Sequence, residues 1–478
     1  MIRLTLLYAF SFGVAVYAWR DWYKALCGLI LLMAVIEHPD MPKTILGIQG
    51  LNVWNVLCAG ITLSWAVHRG EEGRSWDMPA HITILLLLYL SVVLAGFYRM
   101  MSDARFIGGI PLASVVSEYL INTVKWVVPG LLLFDGCRSR SRFHLALGSL
   151  LAVYFLLGIQ VIRWIPPATA LSGQELSARS LKILLNEIGY HRVNLSMMLA
   201  GASWAVLATL PLVERNGRRL LVVAAFLVLV YAQALTAGRM GYATWAFVGL
   251  SLALIRWRKI LLLVPLVVLL IIYAVPGVEE RMAQGFSPAS SDRRGTIPQF
   301  AAYNPEKPDL YTITAGRNIA WHFIVDKITE SPVVGYGRLA MNRTGLSRML
   351  LEKYGESFPH PHNAYLEMLL DNGGVGFLLV LPFYVVILRH GVSLFLDSRN
   401  PVFVSIGGVA TALVLALLVA SMGSQSFYPR EGSVGMWCSI GLLLRVYVER
   451  ARGFSWTEKE REKRDEGEFW TRESATSW

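Results

Sequence analysis

The chain has 478 residues, of which 55% are hydrophobic and only 16% charged, with a formal net charge of +11. A soluble protein would carry about 25% charged residues, so a water-soluble globular domain is excluded. The apolar blocks are continuous and do not alternate, which excludes a transmembrane barrel. Much of the positive charge falls in short loops between apolar blocks, where it marks topology and does not point to nucleic acid.

A hydrocarbon core of about 30 Å takes roughly 20 helical residues to cross. Blocks of suitable length and polarity lie near 3–19, 23–38, 46–67, 80–98, 113–135, 144–164 and 194–213. Others lie near 218–235, 240–256, 259–276, 364–389, 401–421 and 433–448. The expected fold is all-α: a polytopic integral membrane bundle of about 12–13 spans. The first two blocks are short enough to form a re-entrant pair. Met1 onward reads as a first span and not as a removed signal peptide, because no small-residue cleavage site precedes Trp19. Cys27, Cys58, Cys137 and Cys438 lack disulfide or metal-ligand spacing.

The organisation expected is an N-terminal bundle over 1–193 with an external loop at 165–193, a second membrane region over 194–448, and a charged cytosolic tail over 449–478. Basic residues in short loops set the orientation. Arg138, Arg140 and Arg142 share a loop parity with Arg215, Arg218 and Arg219, with Arg256, Arg258 and Lys259, with Arg389 and Arg399, and with the tail from Arg450. That side is read as cytoplasmic. The loops 165–193 and 277–362, the turn around Arg239 and the Ser424–Ser433 turn then face the periplasm or cell exterior.

The polar loop 277–362 carries short interfacial helices in this reading. Thr314 is a candidate N-cap for a helix opening at Arg317, with apolar residues at Ile319, Ala320, Phe323, Ile324 and Ile328 on one face and a stop at Ser331-Pro332. A second interfacial helix is expected over Leu181–Ile188. Arginine suits a pyrophosphate because its planar fork donates two parallel hydrogen bonds and stays charged. Arg239, between small residues, is either such a ligand or a snorkelling anchor. Arg317 is either such a ligand or a contact to lipid phosphates. Arg192 and Arg338 extend the set. His362 stands at the start of a span, after Pro359 and Pro361, and is the candidate base; His360 is the alternative. Asn363 and Glu367 are secondary candidates. Glu118 and Lys125 lie inside an apolar block, as a site or as a structural pair.

His362-Asn363-Ala364-Tyr365-Leu366-Glu367 with Asn372-Gly373-Gly374-Val375-Gly376 resembles the O-antigen ligase and polymerase superfamily. Thr236-Ala237-Gly238-Arg239 is similar to that family's small-residue-plus-arginine turn. Gly316-Arg317-Asn318 through Pro332-Val333-Val334-Gly335-Tyr336-Gly337 is similar to its "Gly-Arg … Pro-x-x-Gly-x-Gly" stretch. The resemblance covers about 195 to 390. It implies a glycosyltransferase of the C-type architecture that moves a glycan from undecaprenyl pyrophosphate to a lipid A core, glycan or protein acceptor outside the bacterial cytoplasmic (inner) membrane. It further implies His362 as the base and Arg239 and Arg317 as pyrophosphate ligands, with no cofactor, no metal and inversion at the anomeric carbon. Ligase-like transfer is the first expectation and repeat-unit polymerisation the second. A transporter of lipid-linked oligosaccharide is the rival from another class; its polar sites would lie near the membrane midplane. Membrane lipids are expected partners and nucleic acid is not.

Overall fold

A computed structural model describes residues 2–45, 47–73, 75–103, 111–284, 286, 310–423 and 425–454. The tail from residue 455, most of 285–309 and Ser424 therefore lie outside the described residues. The chain is almost entirely helical. Helices α1 (Ile2–Ala18), α2 (Trp22–Leu32), α3 (Val53–Glu71) and α4 (Ala80–Met101) come first, with a two-residue hairpin, Thr44–Ile45 against Ile48–Gln49, before α3. Asn52 caps α3 by accepting from the Asn55 amide at 2.9 Å, which starts this span later than the expected 46–67.

The apolar block 113–135 is not one helix. It breaks into α5 (Leu112–Val116), a π-helical turn at Ser117–Ile121, a single turn at Asn122–Val124, and α6 (Val128–Gly136) after Lys125-Trp126-Val127. Polar Glu118, Asn122 and Lys125 fall at the interruption, where irregular backbone at membrane depth is tolerated only inside protein or along an aqueous cavity. After it come α7 (Arg140–Trp164), α8 (Gly173–Glu187), α9 (Arg192–Leu207), α10 (Asn216–Leu235), α11 (Arg239–Ile255) and α12 (Val264–Ala274). The interfacial helix expected over 181–188 is thus longer. Ser172 caps it through the Glu175 amide, and Leu176 and Leu184 are buried. Pro265, in the first turn of α12, suits a helix start and leaves this helix shorter than the block that contains it.

The segment between α12 and the next long helix contributes α13 (Gly277–Ala283), α14 (Leu310–Thr314), α15 (Arg317–Glu330), α16 (Ala340–Arg343) and α17 (Leu346–Tyr354). Then α18 (Ala364–Leu396), α19 (Pro401–Ala420) and α20 (Val434–Ala451) return through the bundle. Among the described residues six helices are long and apolar enough to cross a membrane: α4, α7, α9 with its short extension to Leu212, α10, α18 and α19. Shorter apolar helices lie at Thr5–Ala18, Trp22–Leu32, Arg239–Ile255 and Val264–Ala274. This is a polytopic helical membrane protein. In α9 and α19, 83% of the apolar window is buried, so these two helices form the centre of the bundle. Leu262, Leu269 and Tyr273 instead face outward, as lipid-facing side chains do.

A second apolar cluster holds α15, α16 and α17 together: Ala320, Ile324, Met341, Leu350 and Phe358 pack with Leu370 of α18. It is fastened to the bundle through a gap in α18, where Gly373 adopts φ 64°. The amides of Tyr336 and Gly337 donate to the carbonyls of Leu370 and Asp371 at 2.9 and 2.6 Å. In return the amides of Gly374 and Val375 donate to Pro332 and Val333 at 2.7 and 3.1 Å. A Cβ on Gly373 would lie 2.3 Å from the Val333 carbonyl oxygen, and one on Gly335 2.6 Å from that of Leu370. Gly335 and Gly373 therefore seat a turn in a helix break.

At one end of the bundle Asp77 is the hub of an ion-pair network. Its carboxylate accepts from Arg445 at 2.6 and 2.8 Å, from Arg138 at 2.9 and 3.1 Å, and from Arg452 at 2.9 Å. Arg445 is fully buried. The loops that carry Arg138, Asp77 and Arg452 thus meet at one end, and Arg450 reaches Asp397 at 2.9 Å beside them.

Two substitutions test this architecture. Gly373→Ala forces a side chain into a left-handed conformation and a backbone contact, and lowers stability by roughly 1–3 kcal/mol. Asp77→Ala leaves buried Arg445 with only the Glu449 carboxylate, at 3.1 Å, and costs about 1–3 kcal/mol for the donors left unsatisfied. Thermal unfolding of the detergent-solubilised protein reads both. An unchanged midpoint for Asp77→Ala would mean that the network does not support the bundle.

Candidate functional site

The opposite end gathers the residues singled out by motif. Arg239 is the first residue of α11, immediately after a turn in which Ala237, not a glycine, takes the left-handed conformation at φ 55°. Gly238 and Gly241 serve close packing instead: a Cβ at either would lie 2.7 or 1.6 Å from the Ser196 Oγ of α9. Ser196 is one helical turn beyond Arg192. The small-residue turn thereby sets Arg239 flush against the end of α9 that carries Arg192.

Two further arginines join them. Arg281 of α13 donates through Nε to the Ala237 carbonyl at 3.5 Å and through its fork to the Gln284 side chain. Arg239 donates to the Gln284 carbonyl at 3.4 Å. Arg317 begins α15, after Ala315 and Gly316 turn the chain with φ of 52° and 78°. The N-cap of α15 is Gly316 and not the expected Thr314, because the chain turns there with a left-handed φ; the Thr314 hydroxyl, from the end of α14, still accepts from the Asn318 amide at 3.2 Å. Arg192, Arg239, Arg281 and Arg317 lie within electrostatic reach of one another. Burial pulls Arg281 and Arg317 below the ordinary guanidinium value. Half-buried like charges repel, and an anion placed among them relieves both the repulsion and the desolvation.

His362 sits beside this group in a left-handed conformation, φ 54°. Such strain in a residue with a side chain costs about 1–3 kcal/mol and collects at functional sites. The loop is clamped by Trp321 of α15, whose Nε1 donates to the Pro361 carbonyl at 3.0 Å. The His360 and His362 rings are 4.0 Å apart between centroids. Burial first, then His360, Arg317 and His191, push the His362 imidazole down to about 3. His360 is also lowered, by burial, Arg430 and Arg317, while Glu367 opposes the shift. Both rings are therefore neutral near pH 7, and the His360 Nδ1 accepts from the His362 amide at 3.3 Å.

The remaining expected residues divide. Arg192 donates to the Ser177 carbonyl and hydroxyl at 3.0 and 2.9 Å, tying α9 to α8 at the edge of the arginine group. Asn363 caps α18 by accepting from the amides of Tyr365 and Leu366 at 3.0 and 3.2 Å, which commits its oxygen to structure. Glu367 accepts from the Ser426 hydroxyl at 2.6 Å. Arg338 goes elsewhere. It is stacked 4.4 Å from the Tyr428 ring centroid and donates to the Tyr119 carbonyl and, at 2.8 Å, to the Thr123 hydroxyl.

Three residues of this region carry no motif signal. Arg281 looks like any charge in a long polar loop, His191 like a helix cap, and Arg430 like a topological arginine in a short turn. Only their position shows that His191 and Arg430 act on His360 or His362, and that Arg281 acts on Arg192 and Arg239.

A multi-pass helical membrane protein with a cationic, histidine-bearing mouth is thus defined. Residues 223–381, which include Arg239, Arg281, Arg317, Arg338 and His362, match the family model described as O-antigen ligase. The resemblance read from the motifs is borne out over that stretch. Two proteins that carry the name polysaccharide ligase, from Rickettsia conorii and Rickettsia felis, are 38% and 35% identical to the chain over 72 residues. The matched stretch is 14% of this chain, and the chain spans only 18% of the length of either relative.

The depressed imidazole gives a pH prediction. The neutral form is the one able to accept a proton, and a lowered value extends it to more acid pH. Followed by NMR of ring-labelled histidine, the His362 titration has its midpoint well below the ordinary value of about 6.5. Arg317→Gln removes a positive neighbour and moves that midpoint up. An ordinary midpoint insensitive to Arg317→Gln would mean that the two groups are not neighbours.

Proposed function

We propose that the protein transfers a glycan from a polyprenyl-pyrophosphate carrier, undecaprenyl pyrophosphate, to an acceptor hydroxyl at the outer face of the bacterial cytoplasmic membrane, in the manner of an O-antigen ligase. The observation that carries this reading is the meeting of Arg239, Arg281 and Arg317 with His362 at one end of the bundle, opposite the Asp77 network.

The chemistry follows from the groups present. The acceptor oxygen attacks the anomeric carbon and forms the new glycosidic bond, while its proton passes to the His362 imidazole. The bond from the anomeric carbon to the carrier's phosphate oxygen breaks, and that oxygen keeps the electron pair. Arg239 and Arg317, with Arg281 and Arg192 at the edge, hold the diphosphate as its charge grows. Attack opposite the leaving group inverts the anomeric configuration.

Magnitudes decide which part carries more of the rate. A positioned base contributes about 10²–10⁴-fold, and an imidazole pushed down to about 3 is a weak one. Each donor aimed at the leaving anion is worth roughly 3 kcal/mol, so two or more outweigh the base. Bound diphosphate also offsets the Arg317 charge and raises the affinity of His362 for the incoming proton.

The test is transfer by purified protein from lipid-linked glycan to acceptor, with release of undecaprenyl pyrophosphate. His362→Ala lowers turnover by about 10²–10⁴-fold. Arg239→Lys keeps the charge but loses the fork, and lowers it by about tenfold or more. Full turnover in His362→Ala removes the proposed base, and movement of intact lipid-linked glycan across vesicles without transfer favours a transporter. Deletion of the gene discriminates further: accumulated lipid-linked polymer marks a lost ligase, whereas single capped repeats mark a lost polymerase.

A further inference from the structure

Beside the histidines lies a second site that the leaving-group chemistry does not use. A chamber of about 870 Å³ opens between the loop after α2, the interrupted segment from Ser117 to Trp126, Arg338 and the turn Tyr428–Glu431. Ligand pockets for small molecules span about 300–1,000 Å³, so this one has room for several sugar rings. Its wall is built from the π-helical turn, an irregularity that recurs at functional sites.

The lining chooses among ligands. Glu37, Glu118 and Glu431 face the same space as Lys43, Lys125, Arg338 and Arg430. A diphosphate would meet three carboxylates, a cation would meet the basic groups, and a lipid tail would desolvate them all. A polyhydroxylated neutral ligand donates to the carboxylates and accepts from the ammonium and guanidinium groups at once. Behind the wall the Trp54 Nε1 and the Asn122 Oδ1 are buried and have no hydrogen-bond partner among the described residues. Lys125 is held in place, 4.1 Å from the Trp126 ring centroid and donating to Asn55 Oδ1 at 2.9 Å.

The chamber also communicates with the base. Arg430 lines it and acts on His360 and His191, while Glu431 accepts from Asn194 of α9 at 3.2 Å, two residues after Arg192. We infer that this chamber, lined by Glu37, Glu118, Asn122, Lys125 and Glu431, is a carbohydrate-binding site that holds the saccharide of the acceptor while its hydroxyl reaches the histidines. The assignment to the acceptor rests on the transferase reading above: the arginine group, in which like charges face one another, takes the diphosphate of the donor, and the chamber of both signs is left for the acceptor saccharide.

The experiment uses the full chain in detergent with two readouts. In steady-state transfer, Glu118→Gln and Asn122→Ala raise the acceptor KM by about tenfold or more and leave the donor KM within about twofold. Glu118 is exposed, so its change to Gln leaves the packing undisturbed. In the second, Asn122→Cys is alkylated by a hydrophilic maleimide; Cys27, Cys58, Cys137 and Cys438 are buried and give low background. Oligosaccharide released by mild acid from the cell's own surface glycolipid protects the new thiol, and inorganic pyrophosphate does not. A rise in donor KM, protection by pyrophosphate alone, or no protection by either probe overturns the assignment. The protection assay needs no turnover, so a wild-type protein that binds oligosaccharide yet transfers nothing would sink the transferase reading and leave the carbohydrate site standing.

Discussion

The candidate site depends on a backbone exchange between two segments that are distant in sequence. The turn Pro332–Gly337 and the break in α18 at Gly373 trade four hydrogen bonds, two in each direction. Without the exchange, the amides and carbonyls freed by the break would be unpaired inside the bundle, where each costs several kcal/mol. The same four bonds dock α15, α16 and α17 on α18. Arg317 at one end of α15 and the histidine loop clamped by Trp321 are positioned by that docking. The strain of Gly373 and the reach of the site are thus one structural fact.

Charge is distributed by the same economy of desolvation. At the Asp77 end each buried guanidinium finds a carboxylate; although burial alone would raise it, Arg445 and Arg138 hold Asp77 far below the usual carboxylate range. At the other end guanidinium groups face one another, an arrangement in which an incoming anion gains more than a new contact. The chamber carries both signs on one wall and belongs to neither pattern. A single membrane protein thus holds three electrostatic environments, and each favours a different ligand: none, an anion, and a hydroxyl-rich neutral molecule.

The polytopic helical fold was legible from hydrophobic blocks alone, because crossing hydrocarbon leaves the backbone few choices. Local signals also read correctly where they are short-range: the helix from Arg317 to Glu330 and its stop at Ser331 follow from apolar periodicity and Pro332. Signals that require a partner did not read. The block 113–135 is apolar enough for one span, yet Glu118, Asn122 and Lys125 interrupt it because a chamber lies alongside. Gly238 and Gly241 suggest a flexible turn, whereas their absent side chains make room for Ser196. Arg338 looked like a sibling of Arg317 and instead stacks on Tyr428, since proximity to a motif says nothing about the direction of a side chain.

By itself, then, the sequence determined the class of molecule and singled out the motif residues Arg239, Arg317 and His362, which depend on composition or on neighbours within a few residues. Tertiary structure alone decided that Arg281, Arg430 and His191 join those residues and that a polar chamber sits next to the histidines. Those outcomes arise from contacts between residues far apart in the chain, and no local pattern encodes a contact whose other half is tens of residues or more away.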